Sequence, residues 1–338
     1  MTVTPLELRQ AIERSIDSVE RTLAGTGPLA SDVATRVHGL LEECLILAGG
    51  LSLRDNGADK GACTVADQLL REISSAVGQA CAVLTVPGTE ERTTYATGVI
   101  GLRFPGPDIW ALPIAAHELG HVVAHTLQVI PPDGGRRHNP LLGAFHADGS
   151  IPRQREELWC DFFATYVLGP AYPWALLTHL PSVDGPPGGE LEDPATVLDT
   201  HPGAHVRIHM TFEALSLANA AAGRIHAPYT TAVGRLRSVP CPPVPERSRK
   251  LVRLLAGRFW SIMTDTLGTC PYSVPMAARW LAGHLASGEP LGADRGVRVL
   301  DVVAAAWKAR VDAWDRGTDI TRHVEGRAWD LCLRLART

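Results

Sequence analysis

Apolar residues recur every three to four positions along most of the chain, which is the pattern of helices that bury one face. Over residues 5–25, for example, Leu6, Ile12, Ile16 and Val19 are separated by charged residues. The same spacing predicts further helices over residues 31–48, 64–77, 113–128, 156–168, 202–222, 247–267, 273–287, 295–315 and 319–336. The chain is therefore expected to be mainly helical.

One part of the chain has a different period. Residues 82–86 form a short run rich in β-branched side chains, Pro87 and Gly88 interrupt it, and residues 93–104 again have the character of a strand. Both runs come directly before the 113–128 helix. We expect a mainly α fold with a small antiparallel β-sheet, of the α+β class.

These patterns divide the chain into three sections. Residues 1–80 form an N-terminal helical section, residues 81–230 hold the strands and the polar motifs, and residues 231–338 form a C-terminal helical section. A stretch with four prolines, residues 238–246, is the expected linker near the second boundary.

Composition removes several classes of function. The formal net charge of -4 gives no electrostatic reason to expect nucleic acid or an anionic membrane as a partner. No apolar run has the length of a transmembrane helix, and the first twenty residues lack the apolar core of a signal peptide. The seven cysteines are scattered without a C-x-x-C pair, so we expect reduced thiols and a cytoplasmic location.

The sequence His117-Glu118-Leu119-Gly120-His121 is the strongest chemical signal in the chain. Residues four apart lie on one face of a helix, so His117 and His121 can direct their imidazoles at one metal ion. Two imidazoles suit zinc, and Glu118 can then act as a general base toward water on that ion. The alternative is a buried helix whose histidines bond only neighbouring backbone.

A catalytic zinc site needs a third protein ligand. The arrangement H-E-x-x-H-x-x-G-x-x-H is excluded because Ala124 and Leu127 occupy its last two defined positions, and His125 matches neither. Glu157 and Asp161 lie four apart on the 156–168 helix. We expect Glu157 to bind zinc and Asp161 to accept the free N–H of a ligand histidine, the alternative being an ordinary surface acid pair.

A third polar segment, Asp199 to Ile208, contains His201 just before a helix that Pro202 begins, and Arg207 within that helix. His201 could donate to the oxyanion of a tetrahedral intermediate. The alternative is a helix-capping region with a structural arginine.

Taken together, H-E-L-G-H, E-L-W-C-D and T-H-P-G-A-H-V-R-I resemble the gluzincin zinc peptidases, most closely the branch of the HtpX-like heat-shock proteases and the prenyl-protein CaaX endopeptidases. The soluble gluzincins of the ImmA/IrrE type are a second resemblance, through the ending Leu168-Gly169-Pro170. The resemblance covers roughly residues 95–215. It implies a zincin-like catalytic core between the two helical sections and one Zn²⁺ per chain, held by His117, His121 and Glu157.

The resemblance also implies Glu118 as base, Asp161 as the group that orients a ligand histidine, and His201 or Arg207 near substrate or as structural support. The expected activity is that of a soluble intracellular endopeptidase acting on a peptide or protein substrate. We expect the peptide to add as a strand to the edge of the run from Thr97 to Phe104.

Two other functions stay open: a catalytically silent binding or regulatory module that acts through the helical flanks, and a structural zinc site. Other histidines and one tyrosine are weaker candidates for the site. They are His138 and His146 in a loop, the pair His205 and His209, and Tyr166 as an oxyanion donor.

Overall fold

The computed structural model describes residues 45–78, 83–89, 92–94, 98–103, 108–128, 138–141, 153–179, 202–222, 244–267, 276–289, 296–315 and 320–337, with residues 17 and 317. Residues 45–55 are helical. The elements that follow are α1 (Ala62–Ala76), β1 (Leu84–Gly88), β2 (Arg92–Thr94), β3 (Val99–Arg103), α2 (Leu112–Thr126), α3 (Arg153–Leu168), α4 (Ala171–His179), α5 (Ala204–Ala222), α6 (Glu246–Leu267), α7 (Met276–Ser287), α8 (Val299–Asp315) and α9 (Thr321–Ala336).

The helical character and the α+β class predicted from the sequence are confirmed, and α1, α2, α3 and α5 to α9 lie close to their predicted positions. Helix α4 was not predicted. The prediction over residues 5–25 falls outside the described residues apart from position 17. The division into three sections stays a prediction.

The sheet is mixed, so the expectation of an antiparallel sheet is wrong for one of its two pairings. Its strand order is β1-β3-β2. Strand β1 pairs with β3 in parallel, with Leu84 opposite Val99, whereas β2 pairs with β3 antiparallel, with Thr93 opposite Ile100. The predicted single strand 93–104 is two separate strands, β2 and β3, which run antiparallel to each other.

The position of β3 also overturns the expected peptide-binding edge. Strand β3 is the central strand and is paired on both sides, so it offers no edge to a peptide. In the described part of the sheet, the strand next to helix α2 with an unpaired outer side is β2.

Helix α3 lies at the centre of the molecule and is buried from Glu156 to Leu168. Its polar side contacts α2, while Trp159 and Phe162 pack their rings against Phe259 of α6 at centroid distances of 5.3 and 5.6 Å. A helix that is buried on all sides needs a partner for every polar group it carries. The carboxyl groups of α3 are therefore the first place to look for chemistry.

One hydrophobic core joins the central helices to both flanking sections. At the N-terminal side, the Glu72 carboxylate of α1 accepts the backbone N–H groups of Val299 and Leu300 at 3.1 and 2.9 Å, which caps the start of α8. At the other side, the Arg310 guanidinium of α8 lies 4.5 Å from the ring centroid of Trp110, just before α2. Helix α8 thus contacts the residues just before the helix that carries the H-E-x-x-H motif.

Among the described helices, none has the length and apolar character needed to span a membrane.

Candidate metal centre

Helix α2 presents the H-E-x-x-H side chains because its start is fixed just upstream. The Asp108 carboxylate accepts the backbone N–H groups of Trp110 and Ala111, both at 2.9 Å, and Pro113 occupies the first turn, where its missing N–H costs nothing. His117 and His121 then lie on one face, with ring centroids 5.1 Å apart. Both imidazoles are buried, at 4% and 7% exposure.

Gly120 lets α2 and α3 approach closely enough for their side chains to meet. A Cβ at this position would lie 3.0 Å from the Cα of Cys160, which is tighter than ordinary side-chain packing allows. The indole N–H of Trp159 donates to the Gly120 carbonyl across the same contact at 3.2 Å. The glycine inside the motif therefore sets the distance between the histidine helix and the carboxylate helix.

The Glu157 carboxylate lies against both histidines. Its Oε2 is 3.2 Å from Nε2 of His117, and its Oε1 is 3.5 Å from Nε2 of His121. In both histidines, therefore, it is Nε2 that faces the Glu157 carboxylate.

The opposite nitrogen of His117 faces a second buried group. Its Nδ1 is 3.1 Å from Oδ1 of Asp161, a residue with no exposed surface. Arg207 donates to Asp161 twice, from Nε to Oδ2 at 2.9 Å and from Nη2 to Oδ1 at 2.7 Å. The Tyr172 hydroxyl donates to the same Oδ1 at 2.5 Å and lies 3.0 Å from Nδ1 of His117.

His121 has an equivalent partner in Glu156. Oε1 of Glu156 is 2.8 Å from Nδ1 of His121 and 3.1 Å from Nε2 of His125, a half-exposed side chain one turn further along α2. Each motif histidine therefore has a carboxylate at Nδ1 and shares Glu157 at Nε2.

Glu118 lies on the side of α2 that faces the sheet. Thr93 of β2 donates its hydroxyl to Oε2 of Glu118 at 2.7 Å and is also 3.0 Å from the Glu118 carbonyl oxygen. The glutamate is buried at 7% exposure. This strand-to-helix contact fixes the position of the carboxylate.

A buried group of His117, His121 and Cys160 could hold a metal ion, since one donor atom of each lies within 4.8 Å of the others. Cys160 is fully buried, and burial together with the nearby Glu157 raises the pKa of its thiol well above the usual value. A protonated thiol is a poor metal ligand. His117 and His121 belong to this set of three donors and also to an alternative set in which Glu157 replaces Cys160.

Charge and burial shift the pKa values of the groups around His117 in opposite directions. Burial lowers the pKa of His117, but hydrogen bonds to Asp161 and Glu157 outweigh it and raise the pKa to about 9. Burial raises the pKa of Asp161, but the Arg207 guanidinium outweighs it and holds that pKa well below its usual range. The cluster is thus built to keep a carboxylate charged beside His117.

Of the residues expected at the site, His117, Glu118, His121, Glu157, Asp161 and Arg207 lie together in the structure. His201 and His146 lie outside the described residues. Tyr166 lies in the aromatic core, 5.5 Å from the ring of Trp260, and His138 is exposed. In the described part of the chain, His205 and His209 belong to no cluster of three metal-binding side chains.

Sequence reasoning missed Tyr172, Thr93 and the role of Glu156. Glu156 stands next to Glu157, so its reach toward His121 could have been predicted from the helix alone. Tyr172 and Thr93 are placed by α4 and β2, whose relation to the motif depends on tertiary packing. No sequence signal marks them.

Comparison of this chain with protein-family models, with curated proteins and with solved structures finds no match.

Proposed function

We propose that this protein is a zinc-dependent endopeptidase that hydrolyses peptide bonds with Glu118 as general base. The observation that carries the proposal is the position of the Glu157 carboxylate, 3.2 and 3.5 Å from the Nε2 atoms of His117 and His121. The resemblance of the three motifs to the gluzincins supports the same function. The expected cytoplasmic location stays a prediction.

The donor spacing fits zinc. Zinc bonds nitrogen and oxygen at about 2.0–2.2 Å in tetrahedral geometry, which places neighbouring donor atoms about 3.3–3.6 Å apart. The two distances from Glu157 to the histidines lie close to this range. Four buried carboxyl groups surround the histidines, those of Glu118, Glu156, Glu157 and Asp161, and a divalent cation would offset their charge.

Either Glu157 or Cys160 could supply the third ligand, and the chemistry of the two side chains favours Glu157. The pKa of Cys160 is raised by burial and by the adjacent carboxylates, so the thiol must lose a proton against that field before it can bind. Glu157 offers oxygen donors that already lie against the Nε2 atoms of both histidines. Two histidines and a glutamate leave the fourth position of a tetrahedral ion open, as a catalytic site requires.

The residues of this chain divide the remaining work. A zinc ion in this site supplies Lewis acidity toward a carbonyl and makes water a stronger acid. Glu118, held by the Thr93 hydroxyl at 2.7 Å, is placed to take a proton from water and to pass it to the leaving amine. Asp161 and Glu156, at the Nδ1 atoms of His117 and His121, orient the two imidazoles.

The substrate-binding edge is reassigned from β3 to β2. Thr93 of β2 contacts Glu118, so a peptide added as a strand along the outer side of β2 runs past the proposed base. Backbone pairing of this kind recognises an extended peptide largely independently of its side chains.

The direct test is Glu118→Gln. This variant keeps the hydrogen bond from Thr93 and should bind Zn²⁺ as wild type does, while kcat for cleavage of an unstructured protein falls by about 10²–10⁴ because the base is lost. Glu213→Gln, on α5, is the matched control and should cleave normally. A Glu118→Gln enzyme that turns over at the wild-type rate would falsify the proposal.

A second pair of variants identifies the third ligand. Glu157→Gln should weaken Zn²⁺ binding by at least about 100-fold, because a donor in the first coordination sphere is replaced, whereas Cys160→Ala should leave the affinity close to wild type. Competition with a chromophoric chelator measures both. The reverse result would favour the second candidate, a structural zinc site closed by Cys160, whose donor atom lies within 4.8 Å of those of both histidines. Zinc binding without any cleavage would favour the catalytically silent module.

A further inference from the structure

The buried hydroxyl of Tyr172 belongs neither to the proposed ligands nor to the proposed base. Tyr172 lies on α4, has no exposed surface, and stacks its ring on that of His117 at a centroid distance of 6.1 Å and an interplanar angle of 9°. Its oxygen is 3.0 Å from Nδ1 of His117 and 2.5 Å from Oδ1 of Asp161. These three atoms form a closed triangle with the Nδ1–Oδ1 distance of 3.1 Å.

The shorter side of the triangle decides where the hydroxyl hydrogen lies. Hydrogen bonds from a hydroxyl to a carboxylate are strong at 2.5–2.7 Å. The Tyr172 hydroxyl therefore donates its hydrogen to Asp161, and a lone pair of the phenolic oxygen faces Nδ1 of His117. A lone pair can only accept, so Tyr172 favours a proton on Nδ1.

Arg207 has the opposite effect on the position of the His117 proton. Its Nη2 lies 3.4 Å from Nδ1 of His117, and a guanidinium can donate but not accept. Arg207 thus favours an unprotonated Nδ1, and with it a proton on Nε2, where the proposed metal must bind. Asp161 and Tyr172 are the acceptors that oppose this.

We propose that Tyr172 is a positioning residue, which keeps a proton of His117 on Nδ1 and so makes Nε2 the nitrogen that binds a metal ion. The inference rests on the proposed function only because that function identifies the ion as zinc. Without the hydroxyl, Nδ1 has one acceptor, Asp161, against one donor, Arg207, and the two tautomers of His117 move closer in free energy.

The test compares two buried tyrosines. Tyr172→Phe removes the acceptor and keeps the ring, and it should weaken Zn²⁺ binding about tenfold in chelator competition. Tyr166→Phe removes a hydroxyl from the aromatic core and should leave the Zn²⁺ affinity at the wild-type value. Thermal midpoints are measured alongside, and a lower midpoint in Tyr172→Phe with unchanged affinity would overturn the proposal.

A second measurement needs no variant. In ¹⁵N-histidine spectra of the Zn²⁺-loaded wild type, His117 should bind through Nε2 and carry a slowly exchanging proton on Nδ1. Binding through Nδ1 would overturn the proposal, as would a wild type that takes up no Zn²⁺. A wild type that binds Zn²⁺ in this way but cleaves no peptide would remove the proposed function and leave the role of Tyr172 standing.

Discussion

Two aspartates of this protein, the buried Asp161 and the partly buried Asp67, have similar partners but different surroundings. Asp161 accepts from Arg207 and from the Tyr172 hydroxyl. Asp67 on α1 accepts from Arg54 at 2.7 Å, and from the hydroxyl and backbone N–H of Thr85 at 2.7 and 2.9 Å. Each therefore has one arginine and one hydroxyl.

The pKa values of the two carboxyl groups are nevertheless shifted in opposite directions. Burial raises the pKa of Asp67 in spite of Arg54, while Arg207 and then His117 hold the pKa of Asp161 low although it is the more deeply buried. The two hydrogen bonds from the Arg207 guanidinium and the added contact with His117, rather than burial alone, keep the Asp161 carboxylate charged. Asp67, Arg54 and Thr85 form the Asp67 cluster, which joins α1 to β1. Asp161, Arg207 and Tyr172 form the Asp161 cluster, which also contacts Nδ1 of His117, whose Nε2 faces Glu157.

The largest effect is expected from Asp161→Asn. It removes the carboxylate that accepts from the buried Arg207 guanidinium at 2.7 and 2.9 Å and leaves only Glu157, 3.9 Å away, close to that charge, so the free energy of unfolding should fall by about 3–5 kcal/mol. Zn²⁺ binding should also weaken about 10–100-fold, since the orienting partner of His117 is changed. Urea unfolding and chelator competition measure the two losses. Unchanged values in both would remove the distinction between the two clusters.

Asp67→Asn should separate stability from metal binding. The free energy of unfolding should fall by about 1–3 kcal/mol, less than for Asp161→Asn, because Arg54 keeps the Thr85 carbonyl as an acceptor at 2.7 Å. Zn²⁺ affinity should equal that of wild type. A loss of Zn²⁺ affinity here would mean that the Asp67 cluster supports the site and is not only a link between α1 and β1.

A further expectation concerns pH and the metal-free protein. The pKa of His117 rises from its ordinary 6.5 to about 9 on folding, so its proton stabilises the folded state. This contribution is complete below pH 6.5 and is lost as the pH rises through about 9. Chelator-treated wild type should lose roughly 2–4 kcal/mol of unfolding free energy between these values.

The same titration on Asp161→Asn provides the control. Its loss of stability over this pH range should be smaller, because the hydrogen bond to Asp161 raises the pKa of His117 more than the hydrogen bond to Glu157 does. An equal loss in both proteins would assign the pH dependence to other groups.

The sequence predicted best the features that depend on one helix. The spacing of His117 and His121, and of Glu157 and Asp161, follows from helical geometry, and the structure brings these four side chains together. Helix positions were predicted for the same reason, since amphipathic spacing is a local property.

Features that depend on contacts between distant elements were not predicted. The order β1-β3-β2 places the last strand between the first two, and alternation along a strand does not encode its neighbours. Helix α4 was missed because it is short and apolar, and Pro173 lies within it. Missing α4 meant missing Tyr172, which reaches His117 only through the packing of α4 on α2.

The cap that Glu72 provides for α8 also bears on how the chain folds during synthesis. The carboxylate and the N–H of Val299 that it accepts are separated by 227 residues. At a translation rate of about 5–20 residues per second, α1 emerges roughly 10–45 s before its partner. During that interval its buried side, which includes Leu69, Leu70 and Ile73, has no C-terminal helices to cover it. The nascent chain therefore exposes an apolar helix face to chaperones and to aggregation until the last third of the protein has been made.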